Sequence, residues 1–367
     1  MLSLPRNAQL WLPGLLSSRL RRMLRPTRRT GTTDIFFCIA DHFEPDHGNV
    51  DLRVQRDRVA TWLDRYPVLA EQFADSDGRP PQHTFFFPEE GYRPELVDPL
   101  AELCRRGFGD VEVHLHHDHD TAEGLRDRLG NFTETLFHRH GLLRRRHDGA
   151  ITFGFVHGNW ALDNARPDGK FCGVNNEITV LREAGCYADF TLPAAPDPSQ
   201  TRTINSIYYA TDDPARSRSH DVGIPVRVGR AAPEAALLIV QGPLTFDMRR
   251  RVWWLLPGLE NAAIDNTPAH LPTADRFAAW ADVAVGVEGR PEWVFVKVHT
   301  HGGPEANASV LLGAAMQCFH ADINRHFNDG TQYRLHYVTA YETACLVKAA
   351  ENGLTGDIRQ LLATTLV

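Results

Sequence analysis

The stretch DVEVHLHHDHD, residues 110–120, decides how this chain is read. Its first half alternates. Val111, Val113 and Leu115 share one face of an extended segment, and Glu112, His114 and His116 share the other. Its second half crowds imidazole and carboxylate together in His116, His117, Asp118, His119 and Asp120. A strand running into such a cluster marks a site at a strand end. Imidazole with carboxylate suits a borderline divalent cation, Zn first.

Two other segments repeat the pattern. ADHFEPD (40–46) follows the apolar run IFFCIA (35–40), and HTHG (299–302) follows WVFVKV (293–298). Further runs rich in β-branched and aromatic residues are HTFFF (83–87), ITFGFV (151–156), YADFTL (187–192), ALLIV (236–240) and YRLHYV (333–338). Several are apolar nearly throughout, as strands covered on both faces are. Helical patterns lie between most of them. Residues 121–140 set Leu125, Leu129, Phe132, Leu136 and Phe137 on one stripe, with Thr121 as N-cap. Residues 94–106 and 305–327 also read as helices. So does 341–351, which ends at Asn352-Gly353.

This alternation predicts an α/β fold with a parallel sheet closing as a barrel, whose mouth gathers the three polar clusters. The stretch 194–235, rich in Pro, Ser, Asp and Arg, breaks the rhythm. It reads as an inserted β-hairpin region over the barrel, built from NSIYYA and IPVRV. The expected organisation is a basic amphipathic segment over 1–33, one domain over 34–353 and a tail over 354–367.

Composition narrows the function classes. With 43% hydrophobic residues the 367-residue chain can bury a large core, and a net charge of −7 gives nucleic acid no general attraction. The short runs Arg144–Arg146 and Arg249–Arg251 read as solvated faces. Six scattered cysteines without C-x-x-C read as reduced, buried small hydrophobes. They favour the cytoplasm, and no thiolate metal site is expected. In LWLPGLLSSRLRRMLRPTRR (10–29) the charges follow the apolar stretch, the wrong order for a secretory signal. A plain helix is the simpler reading; a basic amphipathic helix making peripheral membrane contact is the other. P-loop, G-x-G-x-x-G, G-x-S-x-G and H-E-x-x-H patterns are absent.

Individual residues can then be weighed. Asp41, directly after a buried strand, can bind a metal or take a proton from water, against the plainer role of a turn residue. Glu44 and Asp46 lie too far into the loop to assign. His114, one layer below His116, is expected to be a hydrogen-bonded core residue. In HGNW (157–160), Gly158 permits close backbone approach and Asn159 offers both donor and acceptor. Trp160 offers a flat face suited to a sugar ring, against the plainer role of a core Trp. His157 serves the site or merely ends the strand. His299 and His301 project from one side, and an imidazole there can protonate a leaving group across from Asp41. Asp189 and Glu89-Glu90 read as structural.

Taken in order, these blocks resemble the polysaccharide deacetylase superfamily, the carbohydrate esterase family four and its relatives. The resemblance spans roughly residues 34–302. It implies an irregular (β/α)7-type barrel and divalent-metal hydrolysis of an acetyl group from a carbohydrate. The family's T-F-D-D-G motif matches I-A-D-H-F, which puts Asp41 on the catalytic base and His42 on a metal ligand. Its H-[ST]-x-x-H motif matches H-H-D-H-D, which puts His116 and Asp120 on two further ligands. Its late L-x-H motif matches V-K-V-H, which puts His299 on the catalytic acid. Asn159, Trp160 and His301 then fall to substrate binding. His42 stands where the family has Asp, Asp120 where it has His, and the R-P-P-x-G block has no match beyond HGNW. A glycoside hydrolase using Asp41 with Asp189 or Glu90, and a non-catalytic sugar- or metal-binding relative, are the competing expectations.

Overall fold

The computed structural model describes residues 5–24, 31–252 and 256–365. Every apolar run named above forms a strand. In chain order the strands are β1 (Thr33–His42), β2 (His83–Pro88), β3 (Gly109–Leu115), β4 (Arg144–Arg145), β5 (Ile151–His157), β6 (Cys186–Asp189) and β7 (Ile207–Thr211). They continue as β8 (Ile224–Pro225), β9 (Ala236–Val240), β10 (Thr245–Val252), β11 (Leu256–Glu260), β12 (Ala263–Ile264), β13 (Trp293–Thr300) and β14 (Tyr333–Tyr337). The helices are α1 (Ala8–Leu24), α2 (Leu52–Ala70), α3 (Pro94–Arg105), α4 (Ala122–His140) and α5 (Glu177–Glu183). After them come α6 (Ala274–Val283), α7 (Glu305–Leu311), α8 (Ala314–Phe327), α9 (Ala340–Glu351) and α10 (Ile358–Thr364).

The main sheet runs β12-β13-β1-β2-β3-β5-β6-β9-β7-β8. It is parallel from β12 to β9, so all these strands end on the same side. The sheet forks at β1: β14 pairs with Thr33–Phe37, and β2 pairs with Ala40–His42. The expected barrel gives way to an open sheet. Among the described residues the path ends at β8 and β12 without closing. The region 194–235 does contain a hairpin, but it extends the sheet: β7 pairs antiparallel with both β8 and β9.

Burial explains the continuous apolar strands. Ile35, Phe37 and Ile39 of β1 enter one core with Trp62 of α2 and Leu100 of α3. Phe36, Cys38 and Ala40 enter a second core with Val240 of β9 and Leu346 of α9. Both faces of β1 are therefore lost to solvent. At about 25 cal/mol per Å² of buried apolar surface, these two cores dominate folding.

Helix boundaries follow local chemistry. The Thr121 hydroxyl accepts from Gly124 N–H and starts α4, and Gly141 ends it in the left-handed region. The single helix expected over 305–327 splits into α7 and α8. A Cβ at Gly313 would lie 2.3 Å from the Ser309 carbonyl oxygen. The N-terminal segment is a docked helix: Trp11 and Leu15 of α1 bury against Ala195, Ile204 and Leu259, while Leu16, Leu20 and Met23 are exposed. Residues 25–30 of its basic end lie outside the described residues, as do the side chains of Arg249 and Arg251. The expected tail is also structured, since α10 buries Ile358 and Leu361. No helix among the described residues is long and apolar enough to cross a membrane.

Candidate metal centre

The C-terminal ends of β1, β3 and β13 deliver His42, His114 and His299 to one region. In open α/β sheets ligands bind in the crevice outside these strand ends. His42, Glu44 and His114 each offer a ligand atom, and these atoms lie within 4.8 Å of one another. All three residues are buried. His301 stands beside them, its ring centroid 4.7 Å from that of His42. His116 borders the trio, with Nε2 3.4 Å from Glu44 Oε1 and Nδ1 held in close contact by Glu90 Oε1.

The hydrogen bonds fix how the rings face. His114 Nδ1 lies 2.9 Å from the Val156 carbonyl, which can only accept, so Nδ1 carries the proton. The other nitrogen, Nε2, then points at Glu44 Oε1 at 3.1 Å. Without a cation this contact is favourable only as an imidazolium–carboxylate pair; a cation between them would take the place of the Nε2 proton. The charge states agree. Burial, then His301 and His114, pushes His42 well below the usual imidazole range. Burial opposes ionisation of Glu44, but hydrogen bonding and charge from His114 hold its carboxyl at about 2. Two imidazoles and a carboxylate form a hard-to-borderline donor set with room for an exchangeable position.

Asp41 sits behind this group and is fully buried. Its Oδ1 accepts from Gly302 N–H at 2.6 Å and its Oδ2 faces His83 Nε2 at 2.8 Å. Both oxygens are thus engaged, which leaves Asp41 poorly placed to receive a proton from water. Gly302 is required by this contact, since a Cβ there would lie 2.2 Å from Asp41 Oδ2. Gly158 plays the close-approach role read from HGNW: its Cβ would fall 2.3 Å from His116 Cδ2.

Next to the trio opens a cleft of about 530 Å³, lined in part by Trp160, Pro193, Pro196, Asp265, His299 and His301. Two of these side chains carry buried nitrogens without a hydrogen-bond partner, Trp160 Nε1 and His299 Nδ1. Asn159 is exposed and does not line the cleft. Asp189 is also elsewhere; its oxygens accept from the Thr191 hydroxyl and backbone N–H.

Asp120 does not join His42. Its Oδ2 lies 3.1 Å from His117 Nδ1, on the side of a second cluster made by His117, His157, Cys172 and Glu177. The sequence leaves Glu44 unassigned, makes His114 a core histidine and leaves His157 between site and strand end; Cys172 and Glu177 carry no signal there, and no thiolate ligand is expected from it. The signal available for Glu44 was its place three residues after Asp41 in a loop already rich in acid. No family model matches the chain, and no curated protein matches it.

Proposed function

We propose that the chain is a metal-dependent hydrolase that removes an acyl group from a carbohydrate. The observation that carries this reading is the buried His42–Glu44–His114 trio, with His301 both beside His42 and lining the neighbouring cleft. A two-His, one-Glu set leaves a coordination position free, as catalytic sites do. Bound there, a divalent cation such as Zn supplies Lewis acidity and activation of water.

The protein's own groups do the rest. His301 lines the cleft beside the trio and takes the proton from the attacking water. Burial lowers the His301 pKa, and the nearby Glu44 and Asp41 carboxylates offset part of that, favouring the imidazolium as it forms. His301 then returns the proton to the departing sugar amine or hydroxyl. This exchanges roles with the resemblance, which gave the base to Asp41 and the acid to His299. Trp160 offers its indole face to a sugar ring and its Nε1–H to a ring substituent. His299 Nδ1, also unpartnered, meets a second polar atom of the ligand. His116, oriented by Glu90, borders the trio and shapes its outer edge.

The glycosidase alternative is weaker, because Asp41, Asp189 and Glu90 do not line the cleft and no pair of them flanks it. A panel of acetylated mono- and oligosaccharides tests the proposal, with acetate and reducing ends both measured. Acetate release that stops with chelator supports it. Reducing ends without acetate would refute it in favour of glycoside hydrolysis. For the roles, His301→Gln should lower kcat roughly 10²–10⁴-fold with metal retained. Asp41→Asn should cost activity mainly through lost positioning. An active His301→Gln enzyme would remove His301 from the mechanism.

A further inference from the structure

We propose that the chain holds a second metal ion, bound by His117, His157, Cys172 and Glu177 as a closed structural site. The four ligand atoms lie within 4.8 Å of one another and all four residues are buried. They arrive from separate elements. His117 follows β3, His157 ends β5, Cys172 sits in the loop after it and Glu177 begins α5.

The hydrogen bonds around the group orient every donor inward. His157 Nδ1 contacts the Gly158 carbonyl, and His117 Nδ1 faces the Asp120 carboxylate at 3.1 Å. Both partners accept, so both Nδ1 atoms carry protons. That leaves the two Nε2 atoms facing each other at 2.9 Å. Glu177 Oε2 already accepts from Asp163 N–H at 2.5 Å, while Oε1 lies 3.2 Å from His117 Nε2 and 3.5 Å from His157 Nε2. Cys172 Sγ accepts from two backbone donors, Asn164 N–H at 3.3 Å and Val174 N–H at 3.4 Å, and its remaining side meets Glu177 at 3.4 Å. The two backbone donors favour a thiolate, while burial and Glu177 favour the thiol, whose S–H now points at Glu177 Oε2; a bound cation would displace that proton.

Two imidazole lone pairs, a carboxylate oxygen and a sulfur converging on one dry point suit a tetrahedral borderline cation, Zn above all. Asp120 and Gly158 supply the outer contacts that fix the two rings. Four protein donors leave no position for substrate, so this ion's work is structural. It ties the loop carrying Trp160 to the ends of β3 and β5. The two donor sets share no residue.

Cobalt loading of the full chain tests the site. Wild type should bind about two equivalents and show sulfur-to-cobalt charge-transfer absorption in the near ultraviolet. Cys172→Ser should abolish that band, and His157→Ala should lower binding to about one equivalent. Glu44→Gln, altering the other site, should leave the band intact. Wild-type protein that binds cobalt without the charge-transfer band would overturn the proposal, because no other reading places sulfur on the ion. So would a protein that takes up no metal at all, which would mean that a proton shared between His117 and His157 holds the cluster together. Neither outcome depends on any variant folding.

Discussion

Much of the site's geometry turns on two glycines and one loop carboxylate. Gly302 lets the Asp41 carboxylate reach a backbone N–H directly behind the trio. Gly302→Ala should cost about 1–3 kcal/mol through overpacking against Asp41 and Trp62, read as a lower denaturant midpoint. An unchanged midpoint would mean that the loop relaxes freely. His42, His116, His299, His301 and Trp160 could be picked from the sequence because each follows directly on an apolar strand. Glu44 could not. It reaches His114 only because the chain doubles back after β1, and a loop's path is not written in its periodicity. His114 was taken for a core histidine. It is that too, with Nδ1 on the Val156 carbonyl, so one nitrogen satisfies each role.

Strands and helices were far easier to foresee than their pairing. All eight apolar runs are strands, and where both faces are covered, as in β1 and β13, polar residues are largely removed from the pattern; β14 keeps Arg334 exposed. Thr121 and the Asn352-Gly353 stop marked helix ends by their own hydrogen-bonding chemistry. The hairpin β10–β11 went unseen because its strand TFDMRRRV carries charge where alternation would be read. Fork and open edges also went unseen, since strand order depends on contacts distant in sequence. Helix α9 offers a clean element-level test. Thr339 and Glu342 form a reciprocal capping box at its start. Thr339→Ala should destabilise the protein by about 1 kcal/mol in chemical denaturation, and Thr339→Ser by much less. Equal losses for the two would assign the effect to packing of the Thr methyl.

The molecule as a whole carries its own pH dependence, far from the cleft. His336 of β14 is clamped between Asp77, at 2.7 Å from Nδ1, and Asp34, at 3.0 Å from Nε2, with Phe36 stacked on its ring and Arg334 also on Asp34. With both nitrogens bound to carboxylates it reads as an imidazolium and not as a metal ligand. Burial opposes the charge, but the two carboxylates raise its pKa to about 9. A raised folded pKa stabilises fully below the unfolded value near 6.5, and that contribution is lost as pH climbs through 9. Stability should therefore fall by roughly 3 kcal/mol between about pH 6 and pH 10 from this residue alone. His336→Gln should flatten the slope; a slope unchanged in that variant would place its origin elsewhere.

The most direct test of a hydrolytic cation at the strand ends is zinc bound per chain, compared between wild type and Glu44→Gln by equilibrium dialysis of chelator-stripped protein. Glu44→Gln should retain about one equivalent fewer than wild type, since a two-His remnant holds zinc weakly. Equal zinc in both proteins would show that His42, Glu44 and His114 do not form a metal centre.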